Sequence, residues 1–167
     1  METIERSIDV EAPVSKVYNQ WTQFEEFPKF MEGVDSVTQL DDKHLRWVAD
    51  IAGRRKEWDA EIFEQVPDQR IAWRSTAGAR NSGVVSFHPA GANRTRVDLR
   101  MEIEPEGAIE SVGASLGAVT RRIEGDLERF KQFIQAKARE TGAWRGEIHE
   151  TTTPGGYSGP AATGRGK

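Results

Sequence analysis

The sequence predicts an α+β fold of two layers: a curved antiparallel sheet of about six to seven strands, covered by one long C-terminal helix, with two short helices after the first strand. Three observations predict it. Between Val34 and Ile103, short segments alternate apolar and polar residues and are separated by turn residues, the pattern of strands joined as hairpins. Ile109, Val112, Leu116, Val119, Ile123, Leu127, Phe130 and Ile134 recur at helical spacing. At about 100° per residue they fall within roughly 80° of one another, a single apolar stripe. The helices stand before and after the strands instead of alternating with them, as an antiparallel meander requires.

The first strand, Thr3 to Val10, places Ile4, Arg6, Ile8 and Val10 on one face and Glu5, Ser7 and Asp9 on the other. Ala12-Pro13 opens a helix, proline being tolerated in a first turn, and Val14, Val17, Tyr18 and Trp21 form its apolar face. Phe24, Phe27, Phe30 and Met31 keep helical spacing around Pro28, so a second short helix or turn packs beside the first and stops at Gly33. Val34 to Leu40 is the next strand, and Asp41-Asp42-Lys43 turns the chain. His44 to Ala52 sets Leu45, Trp47, Ala49 and Ile51 on one face, and Gly53-Arg54-Arg55 is the following turn. Glu57 to Val66 opposes Trp58, Ala60 and Ile62 to Glu57, Asp59 and Glu61. After Pro67-Asp68-Gln69 comes Ile71 to Thr76, then a loop from Gly78 to Ser82, then Gly83 to His88 with Val85 and Phe87 on one face. The last strand alternates Val97, Leu99, Met101 and Ile103 with Arg96, Asp98, Arg100 and Glu102. Outward charges can pair across strands, Glu5 or Asp9 with Arg96 or Arg100, for only tenths of a kcal/mol each.

The long helix spans about 39 Å from Ile109 to Ile134 at about 1.5 Å per residue, and its stripe needs a wide apolar surface to lie on. Its two halves differ. From Ala108 to Ala118 it is weak, since Gly113 and Gly117 each cost about 1 kcal/mol relative to alanine. From Arg121 to Glu140 it is charged outside and Leu/Ile/Phe inside, with Thr141-Gly142 as its stop. The weak half is expected either to gate a space beneath it or to pack closely through its glycines. The domain is expected to occupy residues 1–141, and 142–167 to form a flexible tail rich in Gly, Pro and Thr. Within that tail Trp144 either folds back as an anchor or docks a partner.

Composition narrows the function. The chain has 167 residues, of which 37% are hydrophobic and 30% charged, the balance of one globular domain with a well-solvated surface. A net charge of -4 argues against a nucleic-acid partner, and the absence of cysteine excludes disulfides, thiolate nucleophiles and cysteine metal sites. No apolar run is long enough for stable membrane insertion and no secretory signal pattern stands at the N-terminus, so a cytoplasmic protein is expected. His44, His88 and His149 have no metal-ligand spacing, and no GxSxG, HExxH or P-loop occurs; neither a metal nor a cofactor is expected. The basic run Arg54-Arg55-Lys56 fits a solvated hairpin tip.

The ordered set of local strings resembles the polyketide cyclase/dehydrase branch of the START-like (SRPBCC, Bet v 1-like) superfamily. The strings are Ile4 to Ile8, Ala12-Pro13-Val14, Trp21 to Met31 with Phe27-Pro28, and Gly33-Val34 into Ser36-Val37. They continue with Glu57-Trp58, Ala60-Glu61-Ile62, Pro67, Arg70 to Ser75, Gly83-Val84-Val85 with Phe87, and the final helix. The resemblance covers residues 3 to about 140. It implies a helix-grip fold, whose curved sheet wraps the long helix around a cavity, and an apolar small-molecule or lipid ligand in that cavity. It also implies an alternative, a polyketide aromatase/cyclase or dehydrase acting in the same place.

The candidate lining follows from the inward faces: Trp47, Trp58, Ile62, Trp73, Val85, Phe87, Leu99 and Met101 from strands, with Val112, Leu116 and Val119 from the helix. Each of these equally suits an ordinary core; rigid aromatic walls with few polar groups suit a ligand pocket. Arg6 is the suggestive polar residue, because a guanidinium on an inward face must be paired. Its partner is either Glu124 or Glu128 of the helix or an oxyanion of a ligand, unless a bulge or an edge position lets it reach water.

Overall fold

The computed structural model describes residues 2–51, 53–104, 112–137 and 139–150, with the backbone alone at Ile51 and over 112–116. Its first strand, β1 (Glu2–Val10), lies at one edge of the sheet and pairs antiparallel with the last, β7 (Thr95–Ile103). Between them β2 (Val34–Gln39), β3 (His44–Ile51), β4 (Arg54–Val66), β5 (Arg70–Gly78) and β6 (Asn81–Pro89) meander, so the seven-stranded order is β1-β7-β6-β5-β4-β3-β2. The links from β2 to β7 are short hairpins, whereas β1 reaches β2 through α1 (Val14–Trp21) and a 3₁₀ helix (Phe24–Lys29). The long helix α2 (Val112–Gln135), about 36 Å at 1.5 Å per residue, is gripped by the curled sheet. This is the helix-grip α+β arrangement.

Curvature enters at breaks in register, between Val34 and Ser36 on β2 and at two places between β4 and β5, where Thr76 of β5 and Phe63 of β4 are the extra residues. An extra residue in one strand bends it and increases its twist. The break at Phe63 also inverts the alternation of β4. Ala60 and Ile62 face inward as their spacing requires, but the next buried residue is Gln65 and not Glu64. Gly78 closes the β5 end at φ 84, where a Cβ would run into the Glu57 carbonyl. The expected loop from Gly78 to Ser82 is therefore shorter, because β5 runs to Gly78 and β6 begins at Asn81. Arg54-Arg55-Lys56 belongs to β4 instead of the turn, and Arg55 pairs with Glu57 at 3.0 Å. Glu5 and Arg100 pair across β1 and β7.

Pro28 has no N–H to donate, and the short second helix is accordingly 3₁₀. It buries Phe24 and Phe27, and Phe30 follows it into the core. These rings meet Trp21 of α1 and Phe130 of α2 at one end of the grip: Trp21 and Phe130 lie edge-on at 4.8 Å, Phe30 and Phe130 at 5.2 Å. The stripe of α2 thus serves two surfaces. Phe130 and Ile134 are fully buried against aromatic rings and α1, and the residues from Val119 to Leu127 face the sheet further along.

The helix stops at Gln135, five residues before its expected end at Glu140. Lys137 N–H bonds the Ile134 carbonyl, a tightening last turn, and Lys16 of α1 donates to the Lys137 carbonyl at 2.6 Å. The chain then crosses α1 and returns to the sheet. Thr141 N–H bonds the Gln20 side chain, Trp144 N–H bonds Thr22, and Ile148 exchanges both backbone hydrogen bonds with Gln65. Ile148 is buried, and Trp144 packs on the core. From Thr141 a packed strap continues to Glu150, where Arg74 pairs at 2.9 Å. The fold-back expected of Trp144 is part of it. The rest of the expected tail, residues 151–167, lies outside the described residues.

Candidate functional site

Between the sheet and the middle of α2 lies a cavity of about 150 Å³. Its sheet side is formed by Leu45, Trp47 and Ala49 of β3, Trp58 and Ile62 of β4, Ile71 and Trp73 of β5, and Leu99 and Met101 of β7. Trp21, Phe24, Phe27 and Met31 close it from the short helices, and Val119, Arg122, Ile123, Asp126 and Leu127 from α2. The α2 positions are spaced as one helical face. Trp47 and Trp58 are direct cross-strand partners whose rings stack 5.5 Å apart at 8°. Trp73 lies against Gly83, where a Cβ would sit 2.5 Å from its ring, and its indole N–H donates to Asn81 at 3.2 Å. The Trp47 indole N–H is buried and has no acceptor among the described residues.

Of the residues singled out in the sequence, Trp47, Trp58, Ile62, Trp73, Leu99, Met101 and Val119 border this cavity. Val85 and Phe87 do not: they are fully packed, Phe87 edge-on to Tyr18 and Trp21, and belong to the core. The side chains of Val112 and Leu116, and with them most of the expected gate, lie outside the described residues. Arg6 does not border the cavity either. It keeps the inward register opposite Leu99, but β1 is an edge strand, and its Nε meets Glu124 of α2 at 2.6 Å with both side chains about half exposed. A pair this wet contributes at most about 1 kcal/mol.

Sequence reasoning did not single out the polar groups that do border the cavity. Arg122 and Asp126 each precede a stripe residue, Ile123 and Leu127, by one position and so stand at the stripe's margin. That adjacency was the available signal. Burial holds the Asp126 carboxyl above its ordinary range, with the Arg129 guanidinium, 2.6 Å away, and the Glu32 N–H pulling the other way. Arg122 makes no hydrogen bond or ion pair with the described residues; its guanidinium lies against the backbone of Gly33. Among the described residues no group of His, Cys, Asp or Glu could hold a metal ion.

A separate polar cluster ties the strap down. Tyr18 is fully buried, accepts a hydrogen bond from Gln65 at 3.0 Å and lies under the Arg145 guanidinium, 5.5 Å from the ring centre. Burial pushes its phenol up to about 12, against the smaller opposing effects of Gln65 and Arg145. The unfolded chain would lose that proton near 10, the folded chain only near 12, so this stability is complete below pH ~10 and is lost as pH rises toward ~12. The loss is about 1.4 kcal/mol per pH unit in that window. Tyr18→Phe is expected to flatten the alkaline fall in urea-unfolding free energy by that slope; an unchanged slope would mean the phenol ionises freely.

The profile of the family described as polyketide cyclase / dehydrase and lipid transport matches residues 10–132. The chain belongs to this family. An uncharacterized 17.2 kDa protein of Streptomyces lincolnensis is 49% identical over 149 residues, 89% of this chain and 99% of its own. A START superfamily protein from Mycobacterium smegmatis superposes with a TM-score of 0.69 at 16% identity, covering 78% of this chain and 98% of that one. The Zhui aromatase/cyclase of Streptomyces sp. R1128 gives 0.69 at 18% identity, over 86% and 99%. At those identities the two structures establish a shared fold. Membership in the polyketide cyclase/dehydrase and lipid transport family implies hydrophobic ligand binding or polyketide cyclisation, and no helix among the described residues is long and apolar enough to cross a membrane.

Proposed function

We propose that this protein binds an apolar small molecule or lipid-like ligand in the cavity between the sheet and α2. The observation that carries the reading is an unfilled space of about 150 Å³ walled by Trp47, Trp58 and Trp73 inside an otherwise close-packed core. A cavity of this size holds a group as large as benzene. A whole ligand of drug size needs roughly 300 Å³ or more, so a larger molecule would widen the cavity or leave part of itself outside.

Ala49 is the test position, because it is buried and borders the cavity with the smallest side chain on β3. Ala49→Phe adds volume where space is vacant. Tryptophan fluorescence should report saturable binding of an apolar probe such as naphthalene to the wild type, weakened at least about tenfold in the variant. Equal affinity in both would move the site elsewhere.

The alternative, a cyclase or dehydrase in the same cavity, draws support from Asp126, a carboxyl that burial keeps reluctant to ionise, in the wall beside Arg122. Mass spectrometry of molecules extracted from the purified protein and then returned to it separates the two readings. Recovery of the molecule unaltered supports a binder; steady conversion supports the enzyme.

A further inference from the structure

Outside the cavity a shallow depression of about 310 Å³ is lined by Glu32, Ala118, Arg121, Arg122 and Arg129. Arg122 borders both spaces. The three guanidiniums are not equivalent. Arg129 is engaged: its Nε donates to the Phe30 carbonyl at 2.9 Å, and its other end meets Asp126 at 2.6 Å and Glu32 at 3.8 Å. Arg121 and Arg122 make no hydrogen bond or ion pair with the described residues. Asp126 and Glu32 both lie on Arg129, and Asp126 also feels the charge of Arg122, so three cations meet two carboxylates and the balance is positive.

Gly33 leaves the room that the Arg122 guanidinium occupies. Its φ is not positive, so its backbone conformation does not demand glycine. The missing Cβ matters for space, because it would collide with the Arg122 guanidinium. On the cavity side, the Trp47 N–H is a donor with no acceptor among the described residues. An apolar chamber that shares the Arg122 guanidinium with a cationic depression is complementary to a molecule apolar at one end and anionic at the other.

We infer that the ligand is an organic anion, with a ring or short alkyl group in the cavity and a carboxylate or similar acidic head at Arg122 and Arg121. This rests on the cavity being the binding site. The probes are 3-phenylpropanoate and its neutral isostere 3-phenylpropanamide, titrated by tryptophan fluorescence at low ionic strength. The wild type should prefer the carboxylate by about tenfold or more, the scale of a charge-assisted hydrogen bond. Arg122→Gln should abolish the preference, read as the ratio of carboxylate to amide affinity within each variant, and Gly33→Ala, which displaces the guanidinium without removing its charge, should reduce it. 3-Phenylpropylphosphonate tells whether the head pocket takes a phosphorus oxyanion as well as a carboxylate; tighter binding of either anion than of the amide supports the inference. Equal affinity for anions and amide, or a preference that survives Arg122→Gln, overturns it and leaves the cavity reading standing. Failure of every probe to bind overturns both.

Discussion

Phe130→Ala is expected to destabilise the domain by about 3–5 kcal/mol, the range for deleting a fully buried aromatic ring. Phe130 is fully buried, and its ring meets Trp21 and Phe30 edge-on at 4.8 and 5.2 Å. It is therefore where α2, α1 and the turn after the 3₁₀ helix are fastened to one another. Those three elements also surround one end of the cavity through Trp21, Phe27 and Leu127. The void left by the ring would be bounded by rigid aromatic side chains that cannot collapse into it, which places the loss in the upper part of the range. Urea unfolding checks it: the midpoint should fall with the denaturant slope unchanged. A loss under about 1 kcal/mol would mean that the aromatic cluster repacks and does not fasten the helices.

The contrast between that cluster and the cavity explains what could be read in advance. Period-two alternation identified the strands because each has one dry face, and the α2 stripe was legible because a helix of 24 residues keeps its own period throughout. Alternation fails where the backbone inserts a residue. At Phe63 the break in β4 turned Gln65 inward, and no residue type there announces it. Arg6 kept its expected register and still stayed half exposed, since exposure depends on β1 being an edge, a property of the whole sheet. Glu124 was one of its two expected partners. The cavity's aromatic walls were legible for the same reason as the core. Val85 and Phe87 could not be told from them, because a vacancy is decided by how three layers of side chains meet and not by any one strand. The polar mouth was harder still: Arg122 and Asp126 stand one position off the stripe, where most charged residues only meet water. Gly33 looked like a helix stop, and its space for the Arg122 guanidinium depends on a helix about 90 residues away.

Ending the chain at Glu140 is expected to cost on the order of 4 kcal/mol relative to a chain ending at Glu150. The difference is the strap. Ile148 is 3% exposed, and fully burying such a side chain contributes about 1.5–3 kcal/mol. Its two backbone bonds to Gln65, at 2.8 and 2.9 Å, and that of Trp144 N–H to Thr22 at 3.0 Å contribute about 1 kcal/mol each at most. The loss is compounded beneath the strap. Gln20 is fully buried and its side chain, among the described residues, is bonded through Thr141 at 2.8 and 2.9 Å, so removing that residue strands a buried amide. Tyr18 offers a local readout separate from global stability. The strap carries Arg145, whose charge lowers the phenol's pKa, yet it also helps bury the ring, and burial is the larger effect. Losing both should let the Tyr18 titration fall from about 12 toward the ordinary value near 10. Absorbance titration of both chain lengths, each with Tyr18→Phe as its reference, measures this directly. An unmoved phenol with a large stability loss would place the strap's contribution at Gln65 and Ile148 on the sheet; a moved phenol places it over α1 as well.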